Sequence, residues 1–431
     1  MTRVAIIGSG VAGLSAAYAM RGRADIVFFE KEVVTGGHAS TIEVEEDGRR
    51  VGIDTAFVVF NPRAYPRFCA FLAEAGVESV GHVGGFTFFD RQSGIQYSSD
   101  DFMVDDAVLA GRYPASVSSV IAQARRFHLE SGRHLRSGEA GVPLGEYLER
   151  HGYSAEFRDA YLGLLSMVVW SVPPELVWSM PASTVIAFFY WHGIGGLGGT
   201  RIDWRTIKGG CHNYVRRLLE VVGPEVRTGV EVLSVEDAGG RVEVRTAAGV
   251  ERFDYAVCAT HADDSCRLLR GAASEPQRRL LAGIRYNQAH VVLHRDAGVM
   301  PADRASWRTW NYGRELIDGA MRGWVVYYMN RVQELEARED YFVTVDYPGP
   351  LDPAAVIREF RYSHPIIDMA VHAAQEDIYA LNEMNRIKLC GTYFHARGSL
   401  ESIGFHEAGF ASGAEAGAAV LRMMDREEAR P

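Results

Sequence analysis

The stretch "VAIIGSGVAGLSAAYAM", residues 4 to 20, constrains this chain more than any other. Val4-Ala5-Ile6-Ile7 is a short continuous apolar run, as a strand covered on both faces should be. Gly8, Gly10 and Gly13 then fit G-x-G-x-x-G, and Leu14 to Met20 reads as a helix rich in small residues. Gly8 permits a tight turn, Gly10 lets the backbone approach a pyrophosphate, and Gly13 lets the helix pack close on the strand. With Val11 and Ala12 between them, these residues make a phosphate cradle at a helix N-terminus, whose free N–H groups face the anion. Roughly 20 residues further on, "DIVFFEKE" supplies a second strand ending in Glu30 and Lys31, with Glu30 placed to bond a ribose. "HGIGGLGGTR" repeats the glycine spacing at Gly193, Gly195 and Gly198, but "RIDW" follows it instead of a helix. A loop is expected there.

Composition sets outer limits. With 431 residues the chain can bury a large core and is expected to hold two domains. A net charge of −10 argues against a nucleic-acid partner. Cys69, Cys211, Cys258, Cys266 and Cys390 form no CxxC pair, which reads as reduced thiols in a cytosolic protein. Met1-Thr2-Arg3 leads straight into a strand, so no leader is expected, and no apolar run is long enough for a membrane span. The tail "MMDREEARP" reads as a frayed terminus. The histidines are dispersed without metal-ligand spacing, and no G-x-S-x-G elbow occurs; no metal is expected.

After Glu30 come Gly36-Gly37, then "HASTIEVEEDGRRVGIDTAFVVFN", an alternating strand, a turn at Asp47-Gly48 and a return strand into Asp54. Here the sequence resembles the flavin-containing amine oxidase and desaturase superfamily. Within it, it is most similar to a bacterial branch of FAD-binding proteins associated with cyclopropane-fatty-acid-type synthases, distantly like polyunsaturated fatty acid isomerases. The stretches "VCATHADDSCRLL", "YNQAHVVLHRDAGVMP", "SWRTWNYG", "VVYYMNRVQEL" and "GFHEAGFASG" carry the same resemblance across nearly the whole chain. It implies FAD as cofactor and a mixed α/β fold: a Rossmann-like FAD-binding domain of the glutathione-reductase type with an inserted substrate domain of mixed sheet and helices. The expected division is 1–79, 200–288 and 386–431 for FAD, and 80–199 and 289–385 for substrate.

The resemblance also implies site residues. Gly36, Gly37, His38 and Ala39 would touch the diphosphate and ribityl chain, with Ala56 and Phe57 near the flavin. Val232 would meet the adenine through its backbone, Ala259 and Thr260 would lie beside the dinucleotide, and Gly391 and Thr392 would pass close to the pyrophosphate. A helix beginning in "GFHEAGFASG" would bring Glu407, Gly409 and Phe410 to the pyrimidine end of the ring. The branch usually has Gly where this chain has Ala56, Asp at Ala408, Ser at Cys211, and fewer residues in "FHARGSLESIGF". Cys211 reads as packing.

Between Ser166 and Gly199 only Glu175 is charged, while aromatics abound. The stretch reads as core helices or as the wall of an apolar tunnel, with Trp170, Phe188, Trp191 and, in "RIDW", Trp204 as candidate substrate contacts. Contact of exposed aromatics with the inner face of a membrane is a third reading. His192, Tyr327 and Asn330 are the candidate catalytic groups, each with a reading as a satisfied buried side chain. Only Lys31, Lys208 and Lys388 are lysines, so the substrate-domain lysine common in flavin amine oxidases has no counterpart between 209 and 387. The expectation is an FAD-dependent oxidoreductase taking a hydride from an apolar, unsaturated or modified fatty-acyl substrate. The alternatives are a redox-neutral double-bond isomerase, an amine oxidase, and a structural flavoprotein partnering a lipid methyltransferase.

Overall fold

The computed structural model describes residues 1–170, 172, 174–193, 202–269, 271–375, 378–397 and 402–429, apart from the side chains of 168, 174 and 175. Gly195 and Gly198, like the core of the "ARGSLE" insertion, lie outside the described residues.

The opening apolar run forms the central strand, Thr2–Ile7, of a five-stranded parallel sheet. Its neighbours are Ala24–Glu30 and Tyr255–Cys258, with Glu225–Thr228 and Ile387–Leu389 outermost. Val4, Ala5 and Ile6 are fully buried because both faces are covered: one packs on the first helix, Val11–Ala19, the other on the strands 232–253 and short helices beyond. Three chain segments far apart in sequence thus meet in one sheet. Turns at 238–240 and 247–249 connect an antiparallel trio, Val232–Asp237, Val242–Thr246 and Gly249–Phe253.

The last helix, His406–Glu428, lies across the first. A Cβ on Gly413 would stand 1.9 Å from Ala12 O, and one on Gly417 2.6 Å from Ala16 O, so only glycine permits this approach. Ser15 Oγ donates to Phe410 O at 2.7 Å and seals the crossing. The tail expected to fray is helical through Glu428, where Glu427 accepts from Tyr255 OH and pairs with Arg386.

A second, seven-stranded sheet runs in the order Val356–Pro365, Tyr286–His294, Phe342–Val345, Ala320–Tyr328, Trp310–Ile317, Phe86–Asp90 and Gln96–Ser98. Its pairs are antiparallel except Trp310–Ile317 with Phe86–Asp90. The strand "FTFFD" is buried along its whole length, with no alternation of exposure to mark it, and its parallel partner lies far along the chain. Helices from 115 to 192 pack an aromatic-rich core against this sheet. No helix among the described residues is long and apolar enough to cross a membrane.

Candidate active site

A cavity of about 1150 Å³ runs from the glycine turn into the space between the two sheets. At one end Gly8 takes φ +98°, with its N–H donating to Phe29 O at 2.9 Å. A Cβ there would meet Ala259 O at 2.7 Å, and one on Gly13 would meet Gly8 O at 2.1 Å. Gly10 differs: no protein atom lies within 4 Å of where its Cβ would be, so that side of the turn faces open cavity. No side chain caps the first helix, which leaves its leading N–H groups directed at this space.

The Glu30 carboxylate is buried beside the turn. One oxygen accepts from Ser9 N (2.8 Å) and Ser9 Oγ (2.6 Å), the other from Glu32 N (3.0 Å). Lys31 is exposed at the cavity rim. Gly36 and Gly37 hold φ of +117° and +58°; a Cβ on Gly37 would touch Gly10 Cα at 3.2 Å, which delivers His38 and Ala39 to the cavity wall. Ala56, Phe57, Val232, Ala259, Thr260, Gly391 and Thr392 line the same cavity with Val11 and Ala12, while Gly13 and Gly36 act from behind it. Gly391 is also required by Tyr393, whose ring would stand 2.5 Å from a Cβ.

Three expected contacts fall elsewhere. Glu407 turns away and caps a different helix, Pro66–Ala75, accepting from Arg67 N at 3.0 Å and Phe68 N at 3.1 Å. Gly409 packs on Val11 and Thr392, and Phe410 joins the aromatic core with Phe68 and Phe71. The reason is register: the helix begins at His406, one residue before the expected contacts, and it is Gly404, Phe405 and His406 that line the cavity. His406 stacks on Phe57 at 3.6 Å and 6° and shares a hydrogen bond with Tyr214 OH at 2.9 Å. Burial lowers its imidazole to about 3, so it is neutral. The histidine was visible in "GFHEAG", but nothing in the sequence set it above its neighbours.

The far end of the cavity is aromatic. Tyr65, Phe86, Phe188, His192, Trp204, Trp310, Tyr312, Tyr327 and Phe405 line it. Phe188 and His192 are one turn apart on the helix Ala182–His192 and stack at 4.1 Å; Phe188 stacks in turn on Phe405 at 5.1 Å. Trp204 lies 5.6 Å from His192 and 5.1 Å from Trp310. His192 Nδ1 donates to Phe188 O at 2.9 Å, while Nε2 is buried with no partner among the described residues. Burial lowers this imidazole to about 4 and raises the Tyr327 phenol to about 12, so both are uncharged near neutrality.

Three other predicted contacts do not reach the chamber. Trp170 stands behind Phe188 at 5.1 Å. Trp191 leaves its helix on another side and stacks under the Arg63 guanidinium at 4.6 Å. Asn330 follows the strand end at Tyr328 and ties a loop, donating to Glu339 O and accepting from Tyr341 N, each at 2.8 Å. Cys211 is buried, its thiol donating to Asp54 Oδ2 (3.1 Å) and Phe57 O (2.9 Å), with burial and the neighbouring carboxylate raising it far from the thiolate form.

A glycine turn, a buried glutamate and two parallel-sheet crossovers closing on one long cavity define a dinucleotide-dependent enzyme. The model of the flavin containing amine oxidoreductase family matches residues 11–294, and the chain belongs to that family: it is an FAD-dependent oxidoreductase. Among solved structures the chain is similar to wild-type putrescine oxidase bound to putrescine (14% identity, TM-score 0.67, covering 98% of this chain and 99% of that one). It is also similar to cyclohexylamine oxidase from Brevibacterium oxydans (16%, TM-score 0.68, covering 99% and 100%). A third similar structure is the CLA-producing fatty acid isomerase from P. acnes (16%, TM-score 0.66, covering 98% of each chain). At these identities the likeness is one of fold. No curated protein sequence matches the chain.

Proposed function

We propose that the aromatic chamber receives an apolar, unsaturated or modified fatty-acyl chain, from which FAD removes a hydride. The carrying observation is the lining itself: aromatic and aliphatic side chains, with both central imidazoles, His82 and His192, held neutral by burial at about 4. Six carboxylates line the cavity: Glu30, Glu32, Glu231 and Asp264 lie in the chain beside residues of the glycine-turn end, Glu359 on the edge strand pairs with His290, and Asp100 pairs with Arg308 at 2.9 Å. Among the described residues none of the lining carboxylates belongs to the aromatic set of the chamber, where it could hold a substrate ammonium. The three lysines lie away from the chamber: Lys31 at the rim, Lys208 on Glu78, and Lys388 buried against Asn382 O and Asn385 O.

The cavity fits the cofactor. Gly10 leaves an open seat at uncapped helix N–H groups, and Glu30 faces the same limb; with Val232, Ala259 and Gly37 these residues would hold the dinucleotide. The flavin, when bound, supplies two-electron oxidation. The chain's residues exclude water, through Trp204, Trp310 and Phe405, and fix the acyl carbon; Tyr327 keeps its proton and can donate a hydrogen bond. A redox-neutral double-bond shift is the second reading, favoured by the likeness of fold to a fatty acid isomerase.

Anaerobic mixing of the holoprotein with a panel of unsaturated fatty acids and their phospholipids tests this. Dehydrogenation bleaches the visible flavin band; isomerisation alters the double bonds with no lasting bleaching. Bleaching by amines with no response to any acyl compound contradicts the proposal.

A further inference from the structure

We infer that His38, His261 and His364 form an imidazole cluster that receives the pyrophosphate of the dinucleotide, and that binding therefore brings protons onto the protein. The three rings come from separate elements. His38 follows the Gly36-Gly37 turn, His261 precedes the short helix Ala262–Leu268, and His364 ends the edge strand Val356–Pro365. All three line the cavity; the His261 and His364 ring centroids lie 6.0 and 5.6 Å from that of His38. The cluster flanks the glycine turn, because a Cβ on Gly37 would touch Gly10 Cα and one on Gly8 would touch Ala259 O, two residues before His261. His38 Nε2 and His364 Nδ1 are buried with no hydrogen-bond partner among the described residues.

Charges of both signs line the same cavity: Lys31, Arg267, Arg358 and Arg361 against Glu30, Glu32, Glu231, Asp264 and Glu359. Lys31 is exposed at the rim, and Arg267 is paired with Asp264 at 2.7 Å, with Asp263 beside it. Arg358 and Arg361 are exposed on the edge strand, and Glu359 there pairs with His290. Glu30 is negative and held by Ser9. Tyr362 lies 5.0 Å from His38 and Tyr286 stacks on His261 at 4.6 Å; both are phenols that burial keeps protonated. His406 is neutral. Burial and mutual repulsion keep the cluster uncharged: His38 lies well below its ordinary value, His261 is lowered, and His364 is lowered to about 4. Two phosphate charges reverse the balance and raise all three. A proton taken up on binding makes affinity rise as pH falls, by up to about tenfold per pH unit for each proton linked.

Calorimetric titration of FAD into the apoprotein, at one near-neutral pH in two buffers of different ionisation enthalpy, counts these protons. The expected result is uptake of roughly one proton, with FAD binding tighter at about pH 6 than at about pH 8 by tenfold or more. His261→Gln and His364→Gln should each reduce the uptake. A buffer-independent heat with pH-flat affinity in the wild type overturns the inference, as does undiminished uptake in both variants. Neither outcome depends on which substrate the enzyme takes.

Discussion

Asp54 is fully buried, and its carboxylate accepts from Thr41 Oγ1 (2.5 Å), Cys211 N (2.9 Å), Cys211 Sγ (3.1 Å) and Gln333 Nε2 (3.1 Å). It precedes Thr55, Ala56 and Phe57 on the cavity wall and so fixes them against both sheets. Burial outweighs these donors and raises the carboxyl from 3.8 to about 6. The folded chain therefore holds a proton that the unfolded chain releases. The resulting stability is complete below about pH 4 and lost as pH rises through about 6, a swing of roughly 3 kcal/mol. Asp54→Asn cannot ionise, so the stability of the wild type relative to this variant should fall by up to that amount between about pH 4 and about pH 7. Denaturant unfolding of both proteins checks it; a pH-independent difference contradicts it. The sequence marked Asp54 only as a strand end. Its partners at 41, 211 and 333 converge through tertiary folding, which no local spacing reports. Glu407 escaped for the same reason: a buried carboxylate capping a remote helix looks, in sequence, like one facing a ligand.

At the level of elements, the crossing of first and last helices decides whether the glycine turn and the chain's end share a cavity. Gly413→Ala puts a methyl 1.9 Å from the backbone oxygen of Ala12, where nothing flexible can yield. Expected is a loss of at least about 2 kcal/mol together with weakened FAD retention, read by thermal unfolding and by the ratio of flavin to protein absorbance. Glu407→Ala should behave differently. It removes the cap of the helix Pro66–Ala75 and costs about 1–2 kcal/mol, with the bound-flavin spectrum unchanged. A flavin spectrum shifted in that variant would place Glu407 back at the ring. The glycine turn, the second strand ending in Glu30 and the hairpin after Gly37 were legible because each is specified within a few tens of residues by local rules. The strand Phe86–Asp90 was not, since its identity depends on a parallel partner at 310–317.

Over the whole molecule, two sheets built from interleaved segments enclose one cavity with two chemistries: glycines and polar groups at one end, aromatic rings at the other. The family and cofactor were readable because their geometry requires particular residue types at fixed places. The chamber was readable only as a stretch poor in charge. Of the three aromatics named from it, Phe188 lines the cavity, as does Trp204 from "RIDW", whereas Trp170 and Trp191 pack behind or outside it, because helix phase and not composition selects the face. A crystal structure of the holoprotein soaked with a long-chain unsaturated fatty acid tests the central claim most directly. The account predicts adenosine beside Glu30 and Val232, the pyrophosphate at Gly10, and the hydrocarbon threaded between Trp204, Tyr327 and Phe405. A chamber that stays empty while the acid binds elsewhere, or a dinucleotide seated away from the glycine turn, would contradict it.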